Sequence, residues 1–119
     1  DPGNAGWQRD LSVSFDRVGD VKKDQGDLAA ALKAYQDSLA IREKLAKADP
    51  GNAGWQADLS VSHSRLGLIY LAQKDNAKAR EAFNAGHAIM AKLVALSPDN
   101  AVWKNDLAWF DGQLDALKP

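Results

Sequence analysis

The chain has 119 residues, of which 15 are basic and 16 acidic, giving a formal charge of −1, and it contains no cysteine. So short a chain holds one domain or a brief repeat array, and its balanced charge argues against the basic surface that nucleic-acid binding uses. Without cysteine there are no disulfides or thiolate metal sites, and no apolar run is long enough to span a membrane. The first residue is Asp1 and not Met, so a piece of a longer protein is expected, with the cytoplasm as the default location.

The strongest signal is an internal repeat. Asp1-Pro2-Gly3-Asn4-Ala5-Gly6-Trp7-Gln8 recurs unchanged at 49–56, and loosely at 97–104 as Ser97-Pro98-Asp99-Asn100-Ala101-Val102-Trp103-Lys104. The offset is 48 residues both times, and aligning 1–48 on 49–96 without gaps gives 24 identities. The domain plan is therefore one array over 1–119: unit one 1–48, unit two 49–96, and a half unit or capping helix 97–119.

Taken in chain order, each unit reads as two helices. The first is predicted over about Ala5 to Gln25, because Trp7, Leu11, Phe15, Val18 and Val21 recur at helical spacing. Asn4 precedes it as an N-cap. Gly26-Asp27 supplies a left-handed exit and the next cap. The second helix, Leu28 to Ala48, is rich in Ala, Leu and Lys and stops at Asp49-Pro50-Gly51. Unit two repeats this with Asn52, then Asp75 or Asn76, then Ser97-Pro98. A fifth helix is predicted from about Ala101 to Leu117, with Trp103, Leu107, Phe110, Leu114 and Leu117 along one stripe. Five helices joined by short turns make an all-α chain.

The small and large residues of each unit resemble the tetratricopeptide repeat. Its pattern appears as His63-x-x-Leu66-Gly67-x-x-Tyr70 with Ala79-x-x-x-Phe83, and as Phe15-x-x-Val18-Gly19-x-x-Lys22 with Ala31-x-x-x-Tyr35. The resemblance implies an antiparallel helix-hairpin solenoid with a right-handed superhelix. Gly19, Ala31, Gly67 and Ala79 would lie where paired helices approach closely, with Tyr35 and Phe83 as plugs. The unit is longer than the family's roughly 34 residues, and Glu43 and Ala91 stand where a closing proline is usual. Trp7, Trp55 and Trp103 lie in the added segment and are expected to have a packing role near Leu45 and Leu93.

Groups that could carry catalysis are sparse. His63 and His87 occupy different repeat positions, and no nucleophile triad, metal-ligand spacing or phosphate-binding glycine motif is present. The Asp-Pro-Gly-Asn stretches lack the alternating carboxylates of a calcium loop and read as turns with caps. Lys33, Arg42, Lys44 and Lys47 are interspersed with acids and read as a solvated face. Trp109 falls outside the tryptophan register; a ligand platform and a contact for a following helix are both open. No enzyme, metal or cofactor is expected.

The resemblance implies a protein-interaction scaffold that receives a peptide or partner domain in a concave groove lined by the first helices. The inward positions would be Val13, Asp16, Asp20 and Lys23 in unit one, Val61, Ser64, Leu68 and Leu71 in unit two, and Trp109 beyond. The family's carboxylate clamp needs basic and amide residues where this chain has Asp16 and Asp20, so a ligand with apolar and basic parts is expected instead. Leu68 and Leu71 could equally serve only in packing. The competing reading is a structural or self-association module, with weak homo-oligomerisation through the C-terminal helix. Neither nucleic acid nor membrane is expected as a partner.

Overall fold

The computed structural model describes residues 4–118, and among them it contains five α-helices and no strand. They are α1 (Ala5–Asp24), α2 (Leu28–Ala48), α3 (Ala53–Ala72), α4 (Asn76–Leu96) and α5 (Ala101–Ala116). Helices of 20 residues are about 30 Å long, and the substantial contacts are all between chain neighbours: α1 with α2, α2 with α3, α3 with α4, and α4 with α5.

Local chemistry sets every boundary. Asn4, Asn52 and Asn100 each accept from the backbone N–H three residues on, at 3.1, 3.1 and 3.0 Å, which starts α1, α3 and α5. Asp27 and Asp75 do the same for α2 and α4. Asp75, not Asn76, is the cap. The exits of α1 and α3 are Schellman turns: Gly26 N–H donates to the Lys23 carbonyl and Asp27 N–H to that of Lys22, and Lys74 and Asp75 repeat both bonds. The left-handed residue is Gly26 (φ 81°) in the first turn but Lys74 (φ 63°) in the second.

Packing follows the small and large positions. Ala31 and Ala79 have no exposed surface, and Tyr35 and Phe83 are buried. The close approach at Gly19 and Gly67 is to the aromatic plug: a Cβ on Gly19 would lie 2.6 Å from Tyr35 Cδ1, and one on Gly67 2.6 Å from Phe83 Cδ1. One cluster gathers Ala31, Tyr35, Leu66, Ile69 and Ala82. The other gathers Ala79, Phe83, Met90, Leu93 and Phe110, with Trp103, Leu107 and Leu114 of α5 and its C-cap Leu117 against it. The predicted α5 stripe is therefore its buried side.

Two expectations need correction. The periodic tryptophans do not share one environment: Trp103 packs on the second cluster and Trp55 is half-buried, but Trp7 is 63% exposed. The helix that would cover Trp7 has no counterpart before α1 among the described residues. Arg42, assigned above to a solvated face, is buried. It falls on the stripe Ala31, Tyr35, Ser38, Arg42, Leu45, all buried, whose spacings of four and three residues keep them on one side of α2.

Candidate functional site

Two of the predicted groove residues, Asp16 and Asp20, lie at the junction between units one and two, in a polar network. Asp16 of α1 is buried, and its Oδ2 forms an ion pair with Arg42 of α2 at 2.7 Å and accepts from Arg65 of α3 at 3.2 Å. Arg42 Nε donates to Ser12 Oγ at 3.1 Å, and another of its guanidinium nitrogens to Ser62 Oγ at 3.0 Å. Arg65 Nε reaches Asp20 at 3.4 Å, and the Tyr35 hydroxyl also donates to Asp20. Burial and this bond to a carboxylate push the Tyr35 hydroxyl well above its usual range, so it stays protonated.

Asp16 is only 4% exposed, with both arginines on Oδ2 and its buried Oδ1 without a hydrogen-bond partner among the described residues. Asp16 therefore cannot face a ligand from a groove. This corrects the expectation of an acidic groove wall built on Asp16. Asp20 keeps about half its side chain exposed, at 48%. Val13 is half-buried and Lys23 exposed. Sequence reasoning missed Arg42 and Arg65, although the stripe spacing on α2 could have found the first.

The equivalent junction between unit two and α5 is apolar. Ser38, Arg42 and Ser62 correspond, 48 residues on, to Gly86, Met90 and Phe110. A Cβ on Gly86 would run into the Phe110 ring, so glycine makes the room that phenylalanine fills. Leu68 and Leu71, both half-buried, pack against this second cluster. Trp109 meets Phe83 edge-on at 5.6 Å and Phe110 at 5.2 Å between ring centroids.

Of the predicted groove residues, the structure brings Val61, Ser64 and Trp109 together. They line a cavity of about 70 Å³ between α3 and α5, with Ser60, Asp106 and Phe110. Val61 and Trp109 remain partly exposed, at 37% and 38%. Asp106 corresponds by repeat to Asp58, which Arg9 holds at 2.8 Å. At the place of Arg9, unit two has Ala57. Asp106 consequently has no cationic partner among the described residues, and burial raises its pKa above the usual carboxylate value. The cavity offers an acid, two hydroxyls and an aromatic edge, enough to hold the tip of one basic or amphipathic side chain.

Other chemistry is thin. His63 lines a separate cavity of about 270 Å³ with Tyr70, Lys78 and Glu81, and burial lowers its pKa. His87 Nε2 bridges to Asp111 on α5 at 2.7 Å. A hollow of about 580 Å³ is bordered by Lys44, Lys47, Pro50, Gln56 and Leu59 and includes none of the predicted groove residues. Among the described residues no group of three metal-ligating side chains exists, and no helix is long and apolar enough to cross a membrane. Comparison with family models, with curated proteins and with solved structures gives no match.

Proposed function

We propose that the chain is a protein-interaction scaffold, a slice of a helix-hairpin solenoid of the tetratricopeptide type that binds a peptide or partner domain across its first helices. The observation that carries this reading is the meeting of Val61 and Ser64 from α3 with Asp106 and Trp109 from α5 around one cavity. Packing alone does not call for an acid without a cation beside a partly exposed tryptophan. A charged group is retained at such a place at a desolvation cost that a bound cation would offset. The ligand that fits is an apolar segment carrying a lysine or arginine, with its cation at Asp106 and its apolar part on Trp109 and Val61.

An array of apolar peptides with and without one basic residue tests this. Binding is expected to favour the basic members, to weaken at higher salt, and to fall at least tenfold for Asp106→Asn and for Trp109→Ala. Equal binding of both peptide sets, or variants that bind like the parent, would remove this cavity from the function. The other reading, a structural or self-association module, is favoured by one observation: Trp7, Leu11, Val18 and Val21 of α1 are all about half exposed or more. Sedimentation across a concentration series separates the two readings.

A further inference from the structure

The apolar face of α1 is more than an exposed patch, because α3 shows what the same register does when covered. On α3, Asp58 receives Arg9, Ser62 receives Arg42, and Arg65 reaches back to Asp16 and Asp20. Leu66 and Ile69 are buried against Ala31 and Tyr35 of α2. Shifted back by 48 residues, those α3 residues are Asp10, Ser14, Arg17, Val18 and Val21 on α1. All five are exposed, and among the described residues neither Asp10 nor Arg17 pairs with another helix.

The repeat fixes which kind of neighbour this face fits. The helix α5, which covers unit two, instead carries Phe110 and Gln113 at the places of Ser62 and Arg65. The receiving set on α1 is thus of the polar kind that α3 presents to unit one. We propose that α1 docks a further helix pair of the unit-one type, carrying arginines at the Arg9 and Arg42 positions and aspartates at the Asp16 and Asp20 positions. Its source is the same polypeptide, joined in register ahead of Asp1. The octapeptide running from the end of α2 into α3, residues 49–56, also stands at 1–8. A connection of that kind follows a second helix. In the docked state Arg17 meets the two aspartates, Asp10 receives an arginine, and Val18 and Val21 are buried.

The test adds a copy of residues 1–48 directly ahead of Asp1 in the full chain and compares it with an added copy of residues 49–96. The second copy presents Ser64, Leu68, Met90 and Ala57 where unit one has Asp16, Asp20, Arg42 and Arg9. Fluorotryptophan NMR, with the Trp7 signal assigned by Trp7→Phe, reports its exposure. With the unit-one copy the melting midpoint should rise by roughly 5 °C or more in one transition, and Trp7 should become protected. Arg17→Ala should leave the natural chain unchanged and lower the midpoint of the extended one. With the unit-two copy, Trp7 should stay exposed and the addition should melt separately. A unit-one copy that melts separately with Trp7 exposed would overturn the proposal, as would equal docking of both copies. So would a natural chain that dimerises through this face and loses the dimer on Arg17→Ala, which would make a second copy the occupant.

Discussion

At position 74 the backbone turns left-handed under a lysine, whereas unit one makes the same step with Gly26. A Cβ in that region meets the neighbouring carbonyl, and the cost is about 1 kcal/mol. Lys74→Gly should therefore stabilise the chain by roughly that amount despite the added freedom of the unfolded state, read as a higher urea midpoint with an unchanged slope. A lower midpoint would mean that Lys74 contributes something beyond its backbone. His63, the counterpart of Phe15, is the second residue whose chemistry sets a stability term. Burial lowers its pKa, so the fold favours the neutral ring. The sign follows: stability is complete above the unfolded value of about 6.5 and is lost as pH falls through it towards the folded value. Tyr70, Lys78 and Glu81 border the same cavity. His63→Phe should flatten the stability profile between about pH 7 and 5 while His87 remains in place. A profile as steep as the parent's would assign the titration elsewhere.

At the scale of the helices, most of the architecture was legible because each boundary rests on local chemistry. Asparagine caps, Schellman exits and Asp-Pro or Ser-Pro stops act within a few residues, so periodicity and punctuation gave five helices nearly in their observed bounds. The interfaces were less legible. Whether Asp16 faces solvent or an arginine depends on Arg42 and Arg65, which lie far along the chain on two other helices, and composition along one helix does not reveal that. Trp7 shows the same limit, since its repeat register implied a packing role and yet it is 63% exposed. The exchange of Ser38 and Ser62 for Gly86 and Phe110 is a shape match of this non-local kind. Gly86→Ala should push Phe110 out of its seat and cost about 1–3 kcal/mol, loosening α5 before the rest. Hydrogen exchange should show lost protection in α5 with α1 and α2 unaffected. Uniform loss over all five helices would place the damage outside this contact.

Across the whole molecule, the main backbone contacts run from each helix to the next, with side-chain bridges from α1 to α3, so stability is expected to divide into units and junctions. The two junctions solve one geometric problem with different chemistry. Between units one and two, a buried arginine ties three helices to Asp16, Ser12 and Ser62. Between unit two and α5, methionine and phenylalanine fill the equivalent space. A buried ion pair gains Coulomb energy only after both ions lose water, so well-packed apolar groups of similar volume often serve as well or better. Removing one partner is different, because the remaining charge has lost both water and its counter-ion. Arg42→Met alone leaves Asp16 with only Arg65 and should cost about 3–5 kcal/mol. Adding Asp16→Ser, Ser38→Gly and Ser62→Phe installs the second junction's residues at the first. The fourfold variant should recover that loss and approach or exceed the parent's stability. No buried charge is then stranded, and the ring introduced by Ser62→Phe enters the space vacated by Ser38→Gly. Urea unfolding of the parent, the single variant and the fourfold variant decides this. Two results would go against it: an Arg42→Met chain as stable as the parent, or a fourfold variant no more stable than the single one. The first would show that the network adds nothing to stability, and the second that the junctions are not interchangeable in geometry.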